Sequence, residues 1–264
     1  MNTGSQFDWT SASAKDVDHQ YSPSQHSLRP IDDYLAEYHS LSIRHDAESL
    51  RIPNTPLLIY IHGGYWQRLS AADSLFNASD AIAEGISLHA VEYTLAPRAS
   101  IAEIVTECIA DVVSVIAELQ PTRVVLAGCS AGAHLAAMCA RNREIVQHLT
   151  GLGLLSGIYD LRPLVVTPTN DPLHLTRQSA DELSPQLLPP IEYLSGALLA
   201  VGRAESSEFI RQNHEYAEHL RIGGTQVEEL VVEERDHFNL PYDLLKRGTL
   251  VGDWMLAQLL PEHS

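Results

Sequence analysis

Six short apolar runs recur along the chain, at residues 57–61, 88–93, 123–127, 151–155, 197–201 and 227–232. Many are bounded by Gly or Pro, the pattern of strands buried on both faces. Between them lie stretches of helical periodicity at about 71–84, 99–119, 131–148 and 205–221, with a last one near 241–260. Strand and helix alternate, which predicts an α/β fold: a mainly parallel sheet with helices on both faces. Leu41–Arg44 reads as a weaker extended stretch that would add an edge strand. No repeat or linker divides residues 31–264, so they read as one domain. Residues 1–30 are polar and Ser-rich, and read as a partly ordered extension lying over the surface. Residues 159–195 break the rhythm with many prolines around a polar centre. That is too long for a plain connector and reads as a short lid insertion over a site; a surface excursion without a role is the plain alternative.

The first apolar run ends in a sequence that calls for explanation. Leu57 to Leu69 read LLIYIHGGYWQRL, so a buried strand stops at His62-Gly63-Gly64 and two large aromatics follow. A second punctuated strand end lies at Gly128-Cys129-Ser130-Ala131-Gly132, a G-x-S-x-G pattern. At a glycine usage near 7%, such a match arises by chance in a chain of this size roughly one time in ten. Its setting decides: a β-branched strand leads in and the Ala-rich AHLAAMCA leads out. This is the strand–turn–helix arrangement of a nucleophile elbow, with small neighbours flanking a serine at a helix N-terminus. Ser130 is therefore the candidate nucleophile, and Cys129, one residue early in the frame, reads as a packed thiol.

Acyl transfer places negative charge on a former carbonyl oxygen, and backbone N–H donors must already face it. Side chains would block that approach. His62-Gly63-Gly64 thus reads as one half of an oxyanion hole at Gly63 and Gly64, with the N–H of Ala131 as the other half. A serine nucleophile needs a base oriented by a carboxylate, in the order Ser, acid, His. Glu205 follows the strand ending at Gly202, and His237 follows the last strand. Glu208 competes with Glu205 from further into the helix. Asp236 is adjacent to His237 and poorly placed to grip its ring. His134, in the elbow helix, reads as packing or as a supporting hydrogen bond.

Composition narrows the classes. The 264 residues carry a formal net charge of -17, against the basic face that nucleic-acid binding needs. No apolar run reaches bilayer-spanning length, so no membrane partner is expected. The three cysteines form no framework, and the first twenty residues lack a charged-then-apolar leader pattern. Both features lead to the expectation of a cytoplasmic protein. Neither C-x-x-C nor H-E-x-x-H occurs, so no metal and no cofactor is expected.

Larger segments then carry a family resemblance: HGGYWQ, SAGAHLAAM, SGIYDLRPL, TNDPLHLT, LSPQ and EFIRQ, within a stretch from QYSPS at 20–24 to DHF at 236–238. Together they make the chain resemble the kynurenine formamidases (arylformamidases) of the α/β-hydrolase fold. The resemblance implies hydrolysis of N-formyl-L-kynurenine to kynurenine and formate in tryptophan breakdown. It implies Ser130 as nucleophile, His237 as base, and oxyanion donors near Gly63, Gly64 and Ala131. The triad acid falls at Glu205, where the family pattern has Asp. Tyr65 and Trp66 beside the hole are candidate walls of an aryl pocket, with simple packing under the lid as the alternative. Tyr159 and Asn170 are candidates on the lid side. The expected partner is a small aryl formamide or ester, and the oligomeric state stays open, a homodimer included. A short-chain carboxylesterase and a non-catalytic binding protein on the same fold are the rival readings.

Overall fold

The structure, a computed structural model, describes residues 7–260; the first six residues of the expected extension and the last four of the chain lie outside them. Six strands form one parallel sheet: β1 (Leu57–Ile61), β2 (Ser87–Val91), β3 (Val124–Cys129), β4 (Leu149–Leu155), β5 (Gly196–Gly202) and β6 (Gln226–Val232). Their spatial order is β2-β1-β3-β4-β5-β6. Each apolar run of the sequence corresponds to one of them within a few residues.

The helices are α1 (Ala14–Gln20), α2 (Ile31–Ser42), α3 (Ala78–Glu84), α4 (Ile101–Leu119), α5 (Ala131–Cys139), α6 (Arg143–Val146), α7 (Arg177–Glu182), α8 (Ser207–Ile222) and α9 (Leu250–Leu259). Successive strand side chains alternate between faces, and β1 shows the result. Leu57, Ile59 and Ile61 join the core that contains α4 and α5 residues, whereas Leu58 and Tyr60 join the opposite core with residues of α3 and α9. Burial on both faces explains why β1 is apolar throughout.

Local chemistry sets the helix limits. Ser100 and Glu103 form a reciprocal capping box at the start of α4. The helix expected over 131–148 is two, because the chain breaks at Arg141 and restarts where Asn142 accepts from the Glu144 N–H. The pattern near 241–260 becomes a short 3-10 turn, Leu240–Asp243, and an α-helix that starts only at Leu250, capped by Thr249. The pattern at 71–84 becomes a short 3-10 turn, Ala71–Asp73, followed by α3.

The edge strand expected at Leu41–Arg44 is absent, because that stretch is the end of α2 and the turn after it. Tyr34, Tyr38 and Ser42, spaced by four, form the buried stripe of that helix, and Asp32 and Asp33 favour its N-terminus. Residues 7–30 pack against the body of the molecule. Val17 and Tyr21 are buried, the Tyr21 hydroxyl donates to Glu208 Oε2 at 2.9 Å, and the Ser206 hydroxyl donates to the Gln20 carbonyl at 2.6 Å.

The strand order reverses between β1 and β3: the chain runs outward from β1 to β2, then returns to the other side of β1. In open α/β sheets such a switch point leaves a crevice at the carboxyl ends of the strands. His62-Gly63-Gly64 and Ser130 both lie at that end.

Candidate active site

Register brings the two glycine-rich strand ends together. Ile61 lies opposite Gly128, so the residues after β1 run beside Cys129 and Ser130. Ser130 has φ 58° and ψ -122°, and its N–H donates to the Leu155 carbonyl at 2.8 Å. A positive φ on a non-glycine residue costs on the order of 1–3 kcal/mol and persists only where the surroundings enforce it. The surroundings here are tight. A Cβ on Gly132 would lie 2.0 Å from the Ile61 carbonyl oxygen, and one on Gly128 would lie 2.2 Å from the Gly132 carbonyl oxygen. Both glycines of the motif are therefore demanded by close backbone approach.

Gly63 stands under the same constraint, because its Cβ would lie 2.8 Å from the Cys129 carbonyl oxygen and 3.2 Å from Ser130 Cβ. The Gly64 carbonyl accepts from the N–H groups of Gln67 and Arg68, at 3.0 and 3.1 Å, which closes the turn. Tyr93 holds it from behind: its hydroxyl donates toward the carbonyls of His62 and Gly63, at 3.0 and 3.1 Å, and its ring stacks on His62. Burial pushes the His62 pKa down to about 4, so this ring is neutral at neutral pH. Among the described residues, the backbone N–H groups of Gly63, Gly64 and Ala131 donate to no carbonyl. Donors left free at the mouth of a buried crevice are suited to an anionic oxygen.

The loops after β5 and β6 meet in the same place. The Arg203 N–H donates to the Val232 carbonyl and the Ala204 N–H to the Arg235 carbonyl, at 2.9 and 3.1 Å. This sets Glu205 against His237, whose Nδ1–H donates to Glu205 Oε2 at 2.7 Å. Both side chains are buried. The tautomer that makes this bond leaves Nε2 as an acceptor. Glu205 Oε1 is fixed by two donors, the Ser156 hydroxyl at 2.6 Å and the Gly202 N–H at 2.8 Å. Glu208 faces elsewhere, in a two-bond pair with Arg211. Asp236 does not grip the ring either. It accepts from the Phe238 and Asn239 N–H groups, the Leu28 N–H and the Tyr34 hydroxyl, and so ties the His237 loop to the N-terminal segment.

Ser130, Gly63, Gly64 and His237 line one cavity of about 410 Å³, within the roughly 300–1,000 Å³ usual for small-molecule sites. Cys129 also borders it, but burial pushes that thiol far above its ordinary pKa, which keeps it in the inert protonated form. Among the described residues, no cluster of three or more His, Cys, Asp or Glu could hold a metal ion. No helix among them is long and apolar enough to cross a membrane.

The pocket-wall candidates divide. Tyr65 lines the cavity, and its hydroxyl donates to the Tyr21 carbonyl. Trp66 does not reach the cavity: it is fully buried and packs edge-on against His134. His134 donates through Nε2 to the Leu183 carbonyl at 2.8 Å, fastening the 159–195 segment to α5. Tyr159 is likewise fully buried, stacked on Tyr216. Asn170 lies off the cavity and folds its own loop, bonding to Val165, Leu175 and the Leu175 N–H. The aromatic lining comes instead from Tyr38, Tyr60, Phe76 and Phe238, with Tyr21 to Ser24 of the N-terminal segment closing one side. Period-two alternation along β1 could have flagged Tyr60, and adjacency to His237 could have flagged Phe238. Nothing local points to Tyr38 or Phe76, which tertiary packing brings in.

A family profile described as the α/β-hydrolase fold matches residues 58–240. The chain is 32% identical to a kynurenine formamidase of Danio rerio, over 96% of this chain and 98% of that protein. It is 33% identical to a kynurenine formamidase of Salmo salar, over 96% and 97%. A candidate thioesterase from Silicibacter sp. TM1040 superposes with a TM-score of 0.82 over 92% of this chain and 99% of that one; at 22% identity the likeness shows the fold alone.

Proposed function

The chain belongs to the kynurenine formamidases of the α/β-hydrolase fold, and on that premise we propose that it hydrolyses N-formyl-L-kynurenine to L-kynurenine and formate with Ser130, His237 and Glu205 as catalytic triad. The observation that carries the reading is the buried His237–Glu205 pair at 2.7 Å, opening on the cavity that Ser130 lines. In this mechanism Ser130 Oγ attacks the formyl carbon while His237 Nε2 takes its proton. The oxyanion is received by the free N–H groups of the Gly63-Gly64 turn and Ala131. Collapse expels the aryl amine, whose nitrogen takes the proton from His237. Water, deprotonated by the same imidazole, then attacks the formyl-enzyme and releases formate. Glu205 holds the ring in the tautomer the first step needs and stabilises the imidazolium.

Formyl needs almost no acyl pocket, whereas a flat aryl amine needs a slot, and Tyr38, Tyr60, Phe76 and Phe238 supply apolar walls for one. Pro168 and Thr169 of the 159–195 segment border that slot. Three buried free thiols suit a reducing cytoplasm. The test is one enzyme preparation assayed on N-formyl-L-kynurenine and on p-nitrophenyl acetate and butyrate. The formamide is expected to have the highest kcat/KM, and butyrate the lowest. Butyrate exceeding formylkynurenine by more than about tenfold, about 1.4 kcal/mol in barrier, would make the enzyme an esterase instead.

A further inference from the structure

Among the described residues that line the cavity, Arg68 is the one Lys or Arg and Asp73 the one Asp or Glu. Neither takes part in the proposed mechanism. Arg68 sits on the Gly63-Gly64 turn, its N–H closing that turn onto the Gly64 carbonyl at 3.1 Å. Among the described residues its side chain makes no ion pair within 4.0 Å. Arg68 is exposed and lines the cavity, so its guanidinium is accessible to a carboxylate arriving there.

Asp73 ends the short turn Ala71–Asp73 and is half-buried. His39 Nδ1 approaches its Oδ1 at 3.0 Å, and the Ser70 hydroxyl donates to its Oδ2 at 2.8 Å. A carboxylate has about four acceptor sites, so this one is held in place with capacity to spare. Arg68 and Asp73 share the cavity without pairing with each other. Opposite charges kept apart on the walls of one pocket match a ligand that carries both.

We propose that Arg68 and Asp73 form a zwitterion subsite, in which Arg68 receives the α-carboxylate and Asp73 the α-ammonium of an amino-acid-bearing aryl amide. This rests on the function proposed above and deepens it: the site would select aryl formamides that carry an α-amino acid over simple formanilides. A planar guanidinium pairs a carboxylate with two parallel hydrogen bonds. The aromatic walls take the ring between the two ends of the substrate. A local cation also offsets the repulsion that so acidic a protein exerts on a substrate carboxylate.

The test crosses protein variants with substrate analogues. N-formyl-L-kynurenine is compared with its decarboxylated analogue, which lacks the anion, and its deaminated analogue, which lacks the cation. Arg68→Ala is expected to lower kcat/KM for N-formyl-L-kynurenine at least about tenfold more than for the decarboxylated analogue. Asp73→Asn, which keeps the shape and the Ser70 contact, is expected to show the same selective loss measured against the deaminated analogue. Equal losses on both members of each pair, with formylkynurenine still turned over by the parent enzyme, would overturn the subsite and leave the formamidase reading standing. Failure of the parent enzyme to hydrolyse any of the three would overturn both.

Discussion

Replacing Glu205 by Gln changes one atom of the buried pair, and its surroundings dictate how the amide must lie. The Oε1 position accepts from the Gly202 N–H at 2.8 Å and from the Ser156 hydroxyl at 2.6 Å. The backbone N–H cannot become an acceptor, so the amide oxygen has to stay there and the amide NH2 has to face His237. Turning the amide over would leave a buried N–H facing another donor, at a cost of about 1–3 kcal/mol. In the favoured orientation the NH2 donates to His237 Nδ1, which forces the ring proton onto Nε2. The nitrogen that should accept from Ser130 then carries a hydrogen. The stabilising charge beneath the imidazolium is lost as well. Where a triad carboxylate becomes an amide, turnover falls by about 10⁴, equivalent to about 5.5 kcal/mol at 1.36 kcal/mol per tenfold. Amide orientation accounts for part of that and the lost charge for the rest. The assay is kcat on p-nitrophenyl acetate and on N-formyl-L-kynurenine, with circular dichroism confirming the fold. Activity within tenfold of the parent on both substrates would refute the reasoning and move the acid elsewhere.

Gly63→Ala places a methyl 2.8 Å from the Cys129 carbonyl oxygen and is expected to cost about 10²–10³ in kcat by displacing an oxyanion donor; steady-state kinetics at saturating ester checks this. Asp236→Ala removes the acceptor of four donors, the Phe238 and Asn239 N–H groups of its own loop, the Leu28 N–H and the Tyr34 hydroxyl, and is expected to lower unfolding free energy by on the order of 3 kcal/mol, measured by urea denaturation. Burial pushes the His134 pKa down from 6.5 to about 4, so the folded ring stays neutral where the unfolded chain takes up a proton. Its contribution to stability is therefore complete above pH 6.5 and is lost as pH falls toward about 4, at about 1.4 kcal/mol per pH unit. His134→Gln should flatten the stability-versus-pH slope across that window by about this amount, and an unchanged slope would contradict the buried neutral ring.

How much of this was legible in the sequence follows from the range of each signal. The strands were legible because burial on both faces leaves continuous apolar runs, and the Ser130 turn because two steric constraints act within five residues. Glu205 and His237 could be picked out because each lies within five residues of a strand end, and the carboxyl ends of parallel strands converge on one side of the sheet. Leu41–Arg44 misled because four residues carry too little pattern; the buried stripe of Tyr34, Tyr38 and Ser42 shows the helix only over a longer window. Position along the chain makes Trp66, beside the His62-Gly63-Gly64 turn, a candidate pocket wall and Tyr159 a candidate on the lid side. The fold instead turns Trp66 beneath α5 and stacks Tyr159 on Tyr216. The walls that face the cavity come from β1, α2 and the loops around Phe76 and Phe238, which no local pattern links. The polar N-terminal segment looked like surface covering, yet its Tyr21 carbonyl and Leu28 N–H are bonded to residues at the rim of the site.

The most direct test of the whole account is covalent labelling with a serine-directed fluorophosphonate, mapped by peptide mass spectrometry with and without N-formyl-L-kynurenine present. One adduct per chain is expected on the peptide containing Ser130, on Ser130 and not on Cys129, and formylkynurenine should slow its formation by competing for the same cavity. Labelling on Cys129 with Ser130 unmodified, or labelling of Ser130 at a rate that formylkynurenine leaves unchanged, would contradict the assignment of this serine to this substrate.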